Sequence, residues 1–466
     1  MSTLPSPRLF TRRQVLQTTA CGFGALAFNG LFANPSPEKD PLAPKQPHHT
    51  PRAKRVIFLF MSGGPSQVDT FDYKPALDKL HNQKVAGKEG SVYYQGPWKF
   101  SPHGECGLMV SELFPHVAKH ADDLCVINSM CTDHNAHPQA VLQMHTGSFT
   151  FARPSVGAWA VYGLGSENRD LPGFITISPG FASGGALKHA SGFLPAACAG
   201  MQIGEGGNNG APPSSLKGIQ LPFMKNSRID SAGQRRQLDL LQALNDERLA
   251  LDGVNEALEG MTRSAELAFR MQAKLPPLLD VAGESAATLE QYGIGDGKPT
   301  DHFGRACLMA RHFVESGVRF VQVNHDPWDH HVDIFKGHPK GALETDQPIA
   351  ALLADLKQRG LLNDTLVLWG GEFGRPPLLN KNKGRDHNNA GFTMWMAGGG
   401  VKPGLRYGST DETGAKVAEN KVHLHDLHAT LLHLIGLDHE RLTFNYSGRD
   451  FRLTDVHGEV VTGILA

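Results

Sequence analysis

The chain has 466 residues, 40% hydrophobic and 20% charged, an ordinary globular composition with enough apolar residues for a sizeable core. Its formal net charge is −1, and the first 33 residues carry Arg8, Arg12 and Arg13 but no acid, so the remainder is more negative still. No basic surplus exists to neutralise a phosphate backbone, which argues against nucleic acid as a partner.

At the amino end, Thr11-Arg12-Arg13-Gln14-Val15-Leu16-Gln17 sets a twin arginine before apolar residues, and a weakly apolar, Gly/Ala-rich stretch follows to Ala33. That stretch is too short and interrupted to span a bilayer, so no transmembrane anchor is expected after processing. Moderate hydrophobicity behind paired arginines is the character of a twin-arginine signal over residues 1–33. The expectation is export in the folded state by the twin-arginine machinery, to the periplasm or another extracytoplasmic compartment. Residues 34–52 are rich in Pro, His and Lys and read as a flexible linker. A single domain over 53–466 is expected to follow. Of the six cysteines, Cys21 lies in the signal. Cys106, Cys125, Cys131, Cys198 and Cys307 remain, an odd number that does not describe a fully paired disulfide framework.

The domain opens with the continuous apolar run Arg55 to Met61, which suits a buried parallel strand, and Ser62-Gly63-Gly64-Pro65 makes a tight loop at its carboxyl end. Further strands are expected at Leu124–Ile127, Gly317–Val323, Thr365–Trp369 and Thr393–Ala397. Helical stretches intervene, including Phe303–Ser316 and Gln347–Arg359. This alternation implies an α/β domain with a doubly wound, mostly parallel sheet and helices on both faces. Residues 82–107 and 200–218 read as polar or Gly/Pro/Ser-rich loops, and about 229–292 as a helical insertion.

Five clusters of acids, imidazoles and arginine follow the expected strands. They are Ser62 to Asp72; Thr132-Asp133-His134-Asn135-Ala136-His137-Pro138; Asn324 to His331; Gly370-Gly371-Glu372-Phe373-Gly374-Arg375; and Gly384-Arg385-Asp386-His387-Asn388. Carboxylates and neutral imidazoles bind divalent metals, and the ends of parallel strands are where open α/β sheets hold ligands. Asp69, Asp329, His331, Glu372, Asp386 and His387 are the metal-ligand candidates, for an ion such as Zn, Ca, Mg or Mn. Thr132 is the candidate nucleophile, and Arg375 a candidate fork onto sulfate or phosphate oxygens. Other readings stand beside these. Thr132 or Asp133 would also serve as a helix cap, Asp72 as turn chemistry, and Arg375 as a structural partner of Glu372. Near the carboxyl end, His423-Leu424-His425-Asp426-Leu427-His428 opens an apolar helix, with Asp426 as helix-start chemistry and His425 and His428 on one face as a possible ligand pair.

The run Phe58 to Asp72, with Trp328-Asp329-His330-His331, Gly371 to Arg375, Gly384 to Asn388 and Ser447 to Gly458, resembles a bacterial sulfatase-like family, domain of unknown function 1501, within the alkaline phosphatase superfamily. The likeness covers nearly all of the chain from Arg55 onward. It implies an alkaline phosphatase/sulfatase-like fold with a metal site of one or two ions at the strand ends. Three departures are visible. The Cys-x-Pro-Ser-Arg motif, whose cysteine becomes formylglycine in sulfatases, is absent. Ser62 stands where the superfamily's first-strand aspartate follows the strand. Glu372-Phe373 replaces an Asp-His pair. The functional expectation is an exported metal-dependent hydrolase of sulfate or phosphate esters, acting on a small-molecule or carbohydrate ester. The alternatives are a catalytically silent metal- or ligand-binding protein and a structural partner of another exported protein.

Overall fold

The central strand β1 (Arg55–Met61) is apolar at every buried position, and the two sets of alternating side chains enter different cores. Ile57, Leu59 and Met61 point to one face of the sheet; Val56, Phe58 and Phe60 point to the other. A strand can be apolar on both sides only where both faces are covered, and here they are. Each Leu or Phe so buried contributes about 1.5–3 kcal/mol of transfer free energy.

The computed structural model describes residues 42–85, 87–180, 185–206, 213–219, 221, 229–252 and 256–466. The expected export signal, and residues 34–41 of the linker, lie outside these. Residues 42–52 are not a free tether. The backbone N–H groups of Lys45, His48 and Arg52 donate to the carbonyls of Leu164, Gly436 and Leu434.

The remaining strands of the main sheet are β2 (Leu124–Cys131), β3 (Phe174–Ile177), β4 (Met201–Ile203), β5 (Phe320–His325), β6 (Thr365–Gly370), β7 (Phe392–Ala397), β8 (Leu405–Tyr407) and β9 (Val422–His423). Among the described residues the sheet has nine strands in the order β8-β2-β7-β6-β1-β5-β3-β4, with β9 also paired to β2. Every pairing is parallel except those of β7, which runs antiparallel to both β2 and β6. Among the described residues the longer helices are α1 (His137–Thr146), α2 (Val156–Leu164), α3 (Ser231–Asp252), α4 (Glu256–Leu279), α5 (Asp301–Glu315), α6 (Ile334–Gln358) and α7 (Leu424–Leu434). Residues of α4, α5 and α6 fill the core on the Ile57 face; residues of α1, α2 and α7 fill the core on the Phe58 face. The α/β class with a mostly parallel sheet and helices on both sides therefore holds.

Some boundaries differ from expectation. Helix α6 begins thirteen positions before Gln347, at Ile334, and continues through Pro339 and Pro348. Its buried face, including Ile349, Leu352, Leu353 and Leu356, offsets the two lost backbone hydrogen bonds. The expected loop at 200–218 includes the edge strand β4. Gly384–Asn388 does not follow a strand of the main sheet; it precedes β7. Because β7 runs antiparallel, its start lies at the edge where the parallel strands end, so the cluster still reaches their carboxyl ends. The register places Met61 beside His325 and Phe60 beside Gly370, so β1, β5 and β6 finish together at that edge.

A candidate metal centre at the strand ends

Two glycines let the loops after β1, β5 and β6 meet backbone to backbone. Gly63 has φ +111°, and a Cβ there would lie 2.5 Å from the Asp329 nitrogen. Gly64 has φ +76°, and a Cβ there would lie 2.8 Å from the Phe373 carbonyl oxygen. Only glycine fits either position. The Gly63 N–H donates to both oxygens of Glu372, at 3.0 and 3.1 Å.

Four side chains converge above this junction: His137 from the first residue of α1, Asp329 and His331 from the loop after β5, and His387 from the loop before β7. One potential ligand atom from each lies within 4.8 Å of all the others. Asp329 Oδ1 is the shared neighbour. It sits 3.1 Å from His137 Nε2, 3.1 Å from His331 Nε2 and 3.4 Å from His387 Nε2. His331 Nε2 and His387 Nε2 are 2.7 Å apart.

The outer nitrogens of the same rings are committed elsewhere. His137 Nδ1 is 2.6 Å from Glu372 Oε1, His387 Nδ1 is 2.5 Å from the Asn135 carbonyl, and His331 Nδ1 is 3.3 Å from Asp386 Oδ1. A carbonyl only accepts, and an ionised carboxylate only accepts, so each Nδ1 carries the proton. With a single proton on each ring, every Nε2 presents a lone pair to the centre. Three lone pairs and a carboxylate facing one point repel one another unless a cation or protons lie between them. His137 Nε2 is buried and, despite its 3.1 Å approach to Asp329, makes no aligned hydrogen bond. This donor set fits a divalent metal: imidazoles oriented by outer carboxylates and a carbonyl are the usual form of such sites.

Protonation follows the same geometry. Burial works to lower the His137 pKa, but the Asp329 and Glu372 carboxylates against its two nitrogens outweigh it and raise the ring to about 9. Burial works to raise the Asp329 pKa, but hydrogen bonds from His137 and His387 and the Arg375 charge hold it far below the usual carboxylate range. Burial lowers the His331 pKa. Phe373 closes one side of the centre, its ring 4.7 Å from that of His137 and 4.6 Å from that of His387.

The other expected site residues fall as follows. Glu372 does not point into the centre; fully buried, it holds His137 from behind. Asp386 lies at the solvent side as the outer partner of His331 and accepts from Asn380 at 3.2 Å. Asp69 does not join. Arg385 grips it with a fork, Nε to Oδ2 at 2.7 Å and Nη2 to Oδ1 at 2.9 Å, and Ser66 donates to it at 2.5 Å. Both its oxygens are thus taken in a fully buried pair. Arg375 is not at a rim. It is fully buried, donating to the Gly64 carbonyl at 3.0 Å, the Arg385 carbonyl at 2.9 Å, the Gly63 carbonyl and Asp329 Oδ1 at 2.6 Å. Thr132 neither caps α1, whose N-cap is Ala136 with no side-chain bond, nor offers a free hydroxyl; Oγ1 donates to Gln143 Oε1 at 2.8 Å. His425 and His428 do not form a pair, because His428 is buried with Nε2 on the Met144 carbonyl at 2.8 Å. Asp426 does serve the start of α7, accepting from the His423 N–H at 2.8 Å. His137 is the member that sequence reasoning left out of the ligand set. Its signal was present: an imidazole just before Pro138, on the first turn of a helix that follows a buried strand.

Among the described residues, no helix is long and apolar enough to cross a membrane. The model for the family described as Protein of unknown function (DUF1501) matches residues 53–465, so the chain belongs to that family. No curated protein matches. Among solved structures, the chain is similar to the PsFucS1 sulfatase from Pseudoalteromonas sp., with 14% identity over 84% of this chain and 69% of that one, at a TM-score of 0.36. It is also similar to the alkaline phosphatase of the Antarctic bacterium TAB5, with 10% identity over 76% and 92% of the two chains, at a TM-score of 0.33. A third is the phosphonate monoester hydrolase SpPMH from Silicibacter pomeroyi, with 11% identity over 82% and 73%, at a TM-score of 0.34. At such scores the likeness says nothing about this chain's chemistry.

Proposed function

We propose that this member of the family is an exported metal-dependent hydrolase of sulfate or phosphate esters, built around one divalent ion held by His137, Asp329, His331 and His387. The observation that supports it is the convergence of three imidazole Nε2 atoms on Asp329 Oδ1, with every outer Nδ1 committed to an oxygen. A divalent ion there would supply Lewis-acid polarisation of an ester oxygen and neutralise charge developing on it. The protein's own residues do the rest. Glu372, Asp386 and the Asn135 carbonyl hold the three rings in one tautomer. Arg375 keeps Asp329 ionised and fixes its position from below. Phe373 excludes water from one side, which strengthens charge interactions at the centre. The attacking group in this reading is water rather than Thr132, whose hydroxyl is spent on Gln143.

A second reading is a metal-holding protein without turnover. The observation in its favour is that Arg375 and Thr132, the groups expected to grip and attack an ester, are both engaged by protein partners.

The test uses chain purified from the exported fraction, analysed for metal, then assayed with nitrophenyl sulfate and nitrophenyl phosphate. Bound metal that is lost in His387→Ala, together with turnover of either ester, is the expected outcome. Stoichiometric metal without turnover of any ester leaves the second reading. A wild-type protein that binds no divalent ion overturns both.

A further inference from the structure

A second group of ligand atoms lies outside the centre described above. Strands β2 and β9 are parallel neighbours, and Cys131 pairs with His423, so the ends of both strands emerge together. Two residues beyond β2 stands Asp133; two residues beyond β9 stands His425, in the first turn of α7. Asp133, His423 and His425 each bring one ligand atom within 4.8 Å of the other two.

The chemistry of each atom is defined by what its other end does. His425 is 5% exposed, and its Nδ1 donates to the Thr454 carbonyl at 3.0 Å. That bond leaves Nε2 as a lone pair, and among the described residues no hydrogen bond reaches it. Asp133 Oδ2 accepts from Gln143 Nε2, and Gln143 is itself held by Thr132 Oγ1, so the carboxylate is aimed and its Oδ1 faces the histidines. His423 Nε2 lies 3.2 Å from Asp133 Oδ1. His423 Nδ1 receives only a long contact, 3.3 Å, from the His425 N–H. To act as a ligand through Nε2, His423 must carry its proton on Nδ1 instead, giving up that weak contact.

We propose that Asp133, His423 and His425 form a second divalent-metal site, selective for zinc-like ions over calcium or magnesium because two of its three donors are imidazoles. Its part is structural. The segment from Asp133 to His137 also carries Asn135, whose carbonyl orients His387, and His137 itself. A metal at the second site ties this segment to the β9–α7 junction and, through His425, to Thr454. Thr132, unsuited to attack, acquires a role as the residue that sets Gln143 and through it Asp133. The site does not depend on the hydrolase reading.

The experiment is zinc counting on dialysed, refolding-free protein, with cobalt substitution as a spectroscopic check. Wild type is expected to retain two equivalents of zinc. His425→Gln and the solvent-facing Asp133→Asn are each expected to retain one, and His331→Ala to retain one. Zinc retained at two equivalents in both His425→Gln and Asp133→Asn overturns the proposal, as does a single wild-type equivalent lost only in His331→Ala. A single wild-type equivalent lost in Asp133→Asn but kept in His331→Ala supports this site and sinks the hydrolase centre. Should His425→Gln fail to fold, Asp133→Asn decides alone, because that side chain is half exposed.

Discussion

Replacing Glu372 with Gln changes one atom in a fully buried site and should weaken metal binding at a residue that never touches the ion. In the wild type both Glu372 oxygens accept from the Gly63 N–H, and Oε1 also accepts from His137 Nδ1 at 2.6 Å. Glutamine keeps the shape but has one acceptor and one donor. If its oxygen stays on Gly63, its amide faces Nδ1. His137 must then move its proton to Nε2, inside the centre, where it blocks ligation. If the oxygen faces His137 instead, an amide donor meets the Gly63 N–H at about 3 Å and leaves a buried donor unsatisfied, which costs roughly 1–3 kcal/mol. Loss of such an outer partner lowers metal affinity about 10- to 100-fold, or about 1.4–2.7 kcal/mol. A second signature comes from pH. Metal must displace the proton that His137 keeps up to about 9, so wild-type affinity should climb from pH 7 to 9. Without the Glu372 charge and hydrogen bond that climb should flatten. Competition titration against a chromophoric chelator at pH 7, 8 and 9 measures both. A Glu372→Gln protein with wild-type affinity and the wild-type pH slope would refute the reasoning.

Four further outcomes are expected. The metal-free protein should lose stability as pH rises: the folded His137 pKa of about 9 lies above its unfolded value near 6.5, so the contribution is complete below 6.5 and lost through 9. That contribution is on the order of 3 kcal/mol, and melting temperatures of stripped wild type and His137→Ala should converge toward pH 9.5. Arg385→Met should destabilise the fold by about 3–5 kcal/mol in urea titration, because it strands the Asp69 carboxylate in the interior. Asp69→Asn should leave zinc content unaltered, and a lost equivalent would restore Asp69 as a ligand. Replacing Arg12 and Arg13 by lysine should hold unprocessed precursor in the cytoplasm, seen by fractionation and immunoblot, and normal export would remove the twin-arginine assignment.

Local pattern was sufficient for the strands that build the core. Arg55–Met61 and Thr365–Trp369 are buried on both faces, and continuous apolar runs bounded by glycine have few other ways to pack. The chemistry-bearing motifs were legible for the same reason, since clustered polar residues directly after such strands lie at the sheet edge where ligands are held. Asp329, His331 and His387 were named from sequence, and they meet.

What sequence could not supply is which way a side chain is facing and what faces it. Asp69 and Asp329 both follow strands within acid-bearing motifs, yet Arg385 captures one and three imidazoles surround the other. Glu372, expected as a ligand, stands behind His137, which faces the centre in its place, because the Gly63 N–H holds the carboxylate behind the ring. Gly384–Asn388 reaches the strand ends only because β7 is antiparallel, a fact that its apolar run does not encode. The amino-acid order determined the α/β layering and the residue types available at the sheet's edge, since burial pattern is a local property of each segment. Tertiary structure alone decided which of those residues share a centre, because that depends on strand order and on contacts between positions hundreds of residues apart.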